Sequence, residues 1–162
     1  MTDKTTLSIR HAQTADLTLL AEYWYDYLAV QSQKQRTISL MPDAEQQWIH
    51  YIQNLLTDND SVGLVAEREG ECAGAIFGQI ITNEPGLLPI HIGHIDTLII
   101  DMHSPYKRNN IIAMLLDALK AEWIAKGITL MQIRVPAYAP VEQSFWRGLG
   151  ASHTQDTFWM TL

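Results

Sequence analysis

The stretch His94–Lys126, HIDTLIIDMHSPYKRNNIIAMLLDALKAEWIAK, decides the fold of this chain. Its first part is rich in β-branched and large aliphatic residues over 95–100, which is typical of a buried strand. A Ser-Pro pair at 104–105 interrupts that run, and residues 106–110 predict a polar, basic loop. Apolar residues then recur at helical spacing, so the sequence predicts a helix over 111–125 that packs on the strand.

The junction between this strand and this helix is a candidate anion site. The first backbone N–H groups of a helix have no partner within the helix, and its dipole favours negative charge there. Lys107 and Arg108 add positive charge at the same place. The junction therefore predicts a site for a phosphate-bearing cofactor. A solvated basic turn without a ligand is the alternative.

Length, composition and charge bound the class of protein. With 162 residues, 47% of them hydrophobic, the chain can bury one good core, and we expect a single domain over 1–162. The net charge of −7 argues against a nucleic-acid partner. Cys72 is the sequence's one cysteine, which excludes an internal disulfide and fits a reducing cytoplasm. Since no signal peptide or membrane-spanning run is present in the sequence, we expect a cytoplasmic protein without a membrane partner.

Strands and helices alternate along the rest of the chain. Short runs with a two-residue period predict strands, and runs with helical spacing predict helices. The predicted strands are 7–10, 62–67, 73–81, 92–101, 128–135 and 153–162, and the further helices are 17–28, 42–56 and 140–149. This order predicts an α/β or α+β fold built on one sheet.

Three segments resemble the GNAT superfamily of N-acetyltransferases. LVAEREGECAGAIFG, residues 64–78, resembles the second and third strands of that family. The unit 94–126 is similar to its central strand, its Arg/Gln-x-x-Gly-x-Gly/Ala loop and the aliphatic helix that follows. SFWRGLG, residues 144–150, resembles its aromatic-x-x-Leu-Gly segment. The resemblance covers nearly the whole chain and implies a single mixed, mostly antiparallel sheet flanked by helices.

The resemblance also implies acetyl-CoA as the cosubstrate. When the helix is kept in register, Lys107 stands where the family has Arg or Gln, and Asn110 and Ile112 replace the two small loop residues. A register shifted by one residue puts Arg108 first and fits the helix less well. The cofactor-binding residues implied are Leu98, Ile99, Ile100, Lys107, Arg108, Asn109, Asn110, Ile111, Ile112, Ala113 and Trp146.

Two of these residues depart from the family pattern. The β-branched Ile112 either crowds a pyrophosphate or turns inward with a reshaped loop. Trp146 stands where the family often has a tyrosine general acid, and an indole does not protonate a thiolate at neutral pH. Tyr106 and Tyr138 lie nearby in sequence as substitutes. These departures leave open a non-catalytic GNAT-like binding or regulatory module, or a structural dimerisation domain.

Asp96 and His94 are the candidate catalytic residues. Acetyl transfer to an amine needs the amine in its neutral form, and a carboxylate on the central strand can take its proton. Asp96 lies two residues before Leu98, where relatives of this type often carry an acidic base. His94 falls on the same face by the two-residue strand period. A polar residue that is merely hydrogen-bonded on a strand is the alternative for both.

For two other candidates, the sequence predicts neither a metal site nor a catalytic nucleophile. The pair His91-x-x-His94 has spacing compatible with metal ligands, but no further ligands follow with convincing spacing, so we expect no metal. Cys72 lies beside a hairpin turn and is expected to be a small buried residue rather than a nucleophile.

Aromatic residues of the two early helices bear on the acceptor. They are Tyr23, Trp24, Tyr25, Tyr27 and Trp48, and in the resembling family these helices wall the acceptor site. They favour an amine with an apolar part, although core packing is the alternative. We expect transfer of acetyl to a primary amine of a small molecule or peptide, by direct attack. The sequence leaves open the acceptor and the oligomeric state, a homodimer included.

Overall fold

The computed structural model describes residues 7–34, 39–103 and 108–162, but not the side chains of Arg108 and Asn109. Its elements in chain order are β1 (Leu7–His11), a 3-10 turn (Thr14–Asp16), α1 (Leu17–Lys34), α2 (Ala44–Leu55), β2 (Ser61–Arg68), β3 (Glu71–Thr82), β4 (His91–Ile100), α3 (Arg108–Ala125), β5 (Met131–Ile133) and α4 (Pro140–Gly148). Among these helices, none is long and apolar enough to cross a membrane.

The five strands form one mixed sheet in the order β1-β2-β3-β4-β5. Neighbours from β1 to β4 are antiparallel, whereas β5 runs parallel to β4. Helices pack on the sheet, so the predicted fold class, a mixed and mostly antiparallel sheet flanked by helices, is confirmed. The predicted packing of the 111–125 helix on this sheet is confirmed as well.

The face of the sheet under α3 carries one apolar cluster. Helical spacing turns a row of α3 side chains toward the strands, where each is almost fully removed from water. The helix contributes Ile111, Leu115, Leu116, Leu119 and Trp123, and the strands contribute Val62, Leu64, Ala66, Ala73, Ile76 and Ile95.

The opposite face is covered by α1 and α2. Its buried residues are Leu17, Leu20 and Ala21 from α1, Trp48 and Ile52 from α2, and Val65, Ala75, Phe77 and Ile99 from the strands. Helix α1 continues to Lys34, six residues beyond the predicted range. This layer matters for function because its helices form one wall of the candidate site.

A small residue on β4 sets how closely α3 approaches the sheet. A Cβ atom at Gly93 would overlap with Cε3 of Trp123, closer than non-bonded atoms approach. Because glycine leaves that space open, the Trp123 indole lies directly on the strand and is 3% exposed. Gly127, with a φ of 78°, follows the helix as the predicted stop.

The start of α3 corrects the predicted loop. Residues 106–110 were expected to be a loop, but the helix begins at Arg108 and takes in Asn109 and Asn110. Polar residues are well placed in a first helical turn, since its N–H groups have no intrahelical partner and are satisfied by polar side chains, water or a ligand. The predicted residues Tyr106 and Lys107 lie outside the described residues.

The C-terminal part differs most from the prediction. Strand β5 spans only 131–133 instead of 128–135, because Ile128 turns into the α3 cluster before the strand begins. The strand predicted over 153–162 is wrong, since those residues adopt no regular structure and are exposed. Phe158 and Met160 are 90% and 81% exposed. Their alternation is compatible with a strand, but no strand of the described chain pairs with them.

Candidate active site

Asp96 is the extra residue of a β-bulge on β4. Across the sheet, Phe77 pairs with Thr97 and Gly78 pairs with Ile95, so Asp96 has no partner of its own on β3. As a result, Asp96 and its neighbour Thr97 both line one cleft on the side of α1 and α2. Bulges often redirect a side chain beside a functional site, and this one places a carboxylate at the cleft.

Two side chains hold the Asp96 carboxylate. The Tyr51 hydroxyl of α2 donates to Oδ1 at 2.5 Å. The Gln79 amide of β3 donates to Oδ1 at 3.2 Å and to Oδ2 at 3.1 Å. The Asp96 side chain is only 9% exposed, so these donors supply hydrogen bonds that water would otherwise give. The carboxylate is thereby fixed from both a helix and a neighbouring strand.

His94 lies beside Asp96 on the same face of β4, as the strand period predicts. Its Nε2 is 3.9 Å from Oδ1 of Asp96, and its Nδ1 is 3.2 Å from the side-chain amide nitrogen of Gln132 on β5. With that amide as donor, Nδ1 accepts and the ring proton lies on Nε2, toward Asp96. Burial lowers the pKa of His94 below its ordinary value, Asp96 opposes the shift, and Arg134 adds to it. A neutral imidazole therefore faces the carboxylate at neutral pH.

Strands β4 and β5 separate at this point. Their pairing ends with Ile95 opposite Ile133, one residue before Asp96. In the described part of the chain, the β4 edge from Asp96 to Ile100 has no strand neighbour on the β5 side. Its backbone groups are open to an extended ligand, which can pair with a free edge as an added strand does.

The predicted cofactor residues on β4 divide between the two faces of the sheet. Leu98 and Ile100 pack against the α3 cluster, and Ile99 is buried against α1 and α2. Their side chains belong to the core. Any contact with a ligand in the gap beside β4 therefore comes chiefly from their backbone.

At the start of α3, the predicted residues also differ in position. Asn110 and Ala113 are exposed, whereas Ile111 is 1% exposed and belongs to the α3 cluster. Ile112 is half-buried and packs against that same cluster. Arg108 and Asn109 lie in the first turn of the helix. The structure thus brings the first turn of α3 and the gap beside β4 to one end of the sheet, since α3 is the element that follows β4.

Trp146 and the tyrosines near it have separate surroundings. Trp146 is 7% exposed within the α3 cluster and makes an edge-to-face contact with Phe145 at 5.3 Å between ring centroids. Tyr138 is half-buried in the turn before α4. Tyr106, the other substitute general acid, lies outside the described residues. A role for Trp146 in cofactor binding stays a prediction.

The cleft beside Asp96 has a volume of about 440 Å³. Its lining residues come from α1, α2, the segment before α2, and β4: Trp24, Ser39, Leu40, Met41, Ala44, Gln47, Trp48, Tyr51, Asp96 and Thr97. Of the predicted aromatic wall, Trp24 and Trp48 line the cleft and stack with ring centroids 5.7 Å apart. Tyr23 instead donates to the Cys72 carbonyl, and Tyr27 donates to Glu142.

The two remaining sequence candidates have other surroundings. His91 lines a separate hollow with Ile80 and Lys126, while His94 points toward Asp96, so the two histidines do not converge on one point. Within the described residues, no group of three or more His, Cys, Asp or Glu side chains is arranged to hold a metal ion. Burial raises the pKa of the Cys72 thiol to about 11, which keeps it protonated at neutral pH.

Tyr51 and Gln79 are site residues that the sequence does not single out. Tyr51 follows Trp48 by three positions and therefore lies on the neighbouring part of the same helix face. Gln79 follows Phe77 by two and shares its strand face. The two spacings predict which face each residue lies on, but nothing in the sequence pairs either residue with Asp96.

Comparison with known proteins gives structural matches only. No protein-family model matches the sequence, and no curated protein matches it. A predicted acetyltransferase with acetyl-CoA from Clostridium acetobutylicum is similar at a TM-score of 0.75 and 18% identity, over 96% of each chain. An aminoglycoside 6'-N-acetyltransferase from Acinetobacter haemolyticus is similar at 0.73 and 15% identity, over 96% of this chain and 97% of the other.

A third similar structure is a GCN5-related N-acetyltransferase from Ralstonia eutropha. It matches at a TM-score of 0.73 and 18% identity, over 96% of this chain and 99% of the other. At such identities, the likeness concerns the fold, and function has to be argued from the site. The chain has the fold of the GNAT superfamily of N-acetyltransferases.

Proposed function

We propose that this protein is an acetyl-CoA-dependent N-acetyltransferase that acts on a primary amine by direct attack. The observation that carries the proposal is the position of Asp96. Its carboxylate lies at the end of an aromatic cleft, one residue beyond the point where β4 and β5 separate. An amine in the cleft and an acetyl donor in the gap between the strands would meet there.

Asp96 has the chemistry to receive the acceptor. A carboxylate binds an ammonium group by a charge-assisted hydrogen bond, and it can take a proton directly or through a water molecule. Tyr51 and Gln79 fix the carboxylate by donating to it, so it does not have to be ordered when the amine arrives. Tyr51 thus acts as a positioning residue.

His94 supports Asp96 as a neutral neighbour. Because its Nδ1 accepts from Gln132, its Nε2 carries the ring proton and faces Asp96 at 3.9 Å. The lowered pKa of His94 keeps that imidazole uncharged at neutral pH. We assign His94 a positioning role beside the carboxylate, with Asp96 as the group that receives the proton of the amine.

The residues present fit acetyl-CoA, which would supply an acetyl thioester. The open edge of β4 from Asp96 to Ile100 offers backbone groups to the amides of an extended arm. The first turn of α3, with Arg108 in it and Asn110 exposed, offers unpaired N–H groups to phosphates. Ile112 packs against the core, which leaves its side chain less able to obstruct that turn.

The similar structures support the proposal at the level of the fold. They include one predicted acetyltransferase with acetyl-CoA and two further N-acetyltransferases. All three match nearly the whole chain, so they support the fold, and the role is argued from Asp96 and its cleft.

Two measurements test the proposal together. Saturating acetyl-CoA is expected to raise the melting temperature, because a ligand that binds the native state stabilises it by about 2.7 kcal/mol at 100 times its Kd. Release of free CoA thiol with a panel of primary amines is expected to depend on enzyme. Asp96→Asn is expected to keep the thermal shift and lower kcat by about a hundredfold or more. Absence of any thermal shift would refute acetyl-CoA binding.

A binding or regulatory module is the second candidate, and one observation favours it. The residue at the position of the family's tyrosine is Trp146, which is buried in the core. Its indole supplies no acid for a departing thiolate. A thermal shift with acetyl-CoA, combined with no CoA release for any amine, would favour this module over the enzyme.

A further inference from the structure

We infer that the acceptor is a monoamine with an apolar, preferably aromatic, body rather than a polycationic sugar or polyamine. This inference rests on the proposed function and specifies which amine the site takes. It comes from the distribution of charge and apolar surface in the cleft beside Asp96.

Among the residues that the structure describes, a single charged group lines the cleft. Of the ten lining residues, Asp96 is the one that carries a charge. Residues 35–38, which precede Ser39 in the sequence and lie outside the described residues, read Gln-Arg-Thr-Ile and contain no carboxylate. The nearby Asp43 accepts from the Gln47 amide at 2.8 Å and does not line the cleft. One ammonium group therefore has a partner there, while each further cation would lose water without one.

The rest of the wall is apolar and aromatic. Trp24 and Trp48 stack with an interplanar angle of 24° and form a slab, which Trp48 anchors through an edge-to-face contact with Phe77 at 5.8 Å. Leu40 and Met41 extend the apolar lining. Such a slab suits a flat ring, since aromatic pairs gain from stacking beyond the area they bury.

The order of these groups along the cleft sets the shape of the ligand. Asp96 comes from β4 and Tyr51 from α2, so the charged end lies at the sheet. The apolar wall comes from the two helices and the segment before α2. A ligand that fits has its amine at one end, next to the gap between β4 and β5, and its ring among the helices. A sugar that bears several amines would bring its further cations against Leu40 and Met41, which carry no charge to pair with them.

Steady-state kinetics with matched amines test the inference. The substrates are tryptamine, ethylamine, spermidine and kanamycin, with CoA release as the readout. We expect kcat/KM for tryptamine to exceed that for kanamycin and spermidine by about tenfold or more. Comparable or higher values for kanamycin would overturn the inference while leaving the acetyltransferase proposal intact.

Variants of the apolar cleft residues distinguish an effect on amine recognition from an effect on folding. Trp24→Ala and Met41→Ala are each expected to lower kcat/KM for tryptamine by about tenfold, with little effect on ethylamine, which is too short to reach the wall. Met41 is 58% exposed, so its replacement should leave the melting temperature unchanged. The control is Trp159→Ala, whose indole lies on the exposed C-terminal segment. Equal losses for tryptamine and ethylamine would contradict the assignment.

Binding without turnover distinguishes the two proposals. If no amine is acetylated, the proposed function fails, and calorimetry of tryptamine with the wild-type chain and with Trp24→Ala still tests the cleft. Tryptamine binding that weakens about tenfold in Trp24→Ala would uphold the inference in a binding protein. No detectable tryptamine binding would overturn it.

Discussion

The Tyr51 hydroxyl and Oδ1 of Asp96 lie 2.5 Å apart, across 45 positions of sequence. This bond ties the second helix to the bulge of the central strand. Burial raises the pKa of Tyr51 to about 12, and the bond to Asp96 adds to that shift. The hydroxyl therefore remains a proton donor to the carboxylate throughout the neutral pH range.

Replacing Tyr51 tests its role in positioning Asp96. Tyr51→Phe keeps the ring and removes one hydrogen bond to a charged group, an interaction that contributes about 1.5–3 kcal/mol. We expect kcat to fall by about tenfold to a hundredfold, and the acidic limb of the pH–rate profile to move to higher pH. The lost bond should also lower the melting temperature by about 2–4 °C for each kcal/mol that it contributes, so kcat is measured well below the midpoint of unfolding.

Tyr25→Phe is the matched control for that variant. Tyr25 lies on α1 with 36% exposure and is not among the residues that line the cleft. Its replacement should leave both kcat and the pH profile unchanged. A similar loss in the two variants, or an unmoved acidic limb in Tyr51→Phe, would contradict the positioning role.

The lowered pKa of His94 predicts a pH dependence of stability. Below its ordinary value of 6.5, His94 takes up a proton in the unfolded chain before it does so in the folded one. The unfolded state then binds more protons, so the free energy of unfolding decreases as the pH falls below 6.5. We expect His94→Gln to reduce this decrease, measured by urea unfolding at about pH 7.5 and about pH 5.5. His50→Gln, which alters an exposed residue of α2, should leave this decrease in the free energy of unfolding unchanged.

The basic pair Lys107 and Arg108, of which Arg108 begins α3, is expected to bind the phosphates of acetyl-CoA. Charge-assisted contacts to phosphate contribute about 1.5–3 kcal/mol each, so Lys107→Ala with Arg108→Ala should weaken acetyl-CoA binding by that amount or more in calorimetry. The control is Lys34→Ala with Lys120→Ala, which removes the same charge from α1 and from the middle of α3. Unchanged affinity in the first double variant would remove this segment from the site.

Ile112 distinguishes an obstructed cofactor site from a reshaped one. Because Ile112 packs against the α3 cluster, Ile112→Gly should lower the melting temperature and leave the affinity for acetyl-CoA unimproved. Met114→Gly, at a position inside α3 that is 37% exposed, controls for the cost of about 1 kcal/mol that glycine has in a helix interior. If Ile112→Gly binds acetyl-CoA much more tightly and matches the stability of Met114→Gly, the side chain obstructs the site instead.

The sheet and its central helix could be predicted because their signals are local. Two-residue alternation in β2 and β3, and helical spacing in α3, follow from which side of each element is buried. The start of α3 was placed three residues too late, since polar residues at a helix start resemble a loop in sequence. The periodicity of apolar residues thus predicts the order of strands and helices but not the residues at which they begin and end.

The bulge could not be predicted, because it shifts by one residue the alternation of β4 side chains between the two faces of the sheet. Ile95 packs under α3, yet Ile99, four residues later, packs on the opposite face. A regular strand would put both on one face. The run of aliphatic residues on either side hides the change, and only the pairing with β3 reveals it. The partners of Asp96 were missed for the same reason, since they come from elements that only the fold brings together.

The exposed C-terminal segment has a spectroscopic consequence. Trp159 there is 64% exposed, while Trp48, Trp123 and Trp146 are between 3% and 7% exposed. The emission of the intact chain is therefore a mixture of a water-exposed indole, which a soluble quencher reaches first, and shielded ones. With Trp159 changed to Phe, the fraction of the emission that a soluble quencher reaches should come mainly from Trp24 at the cleft. A decrease in that fraction on adding an amine would show that the amine occupies the cleft.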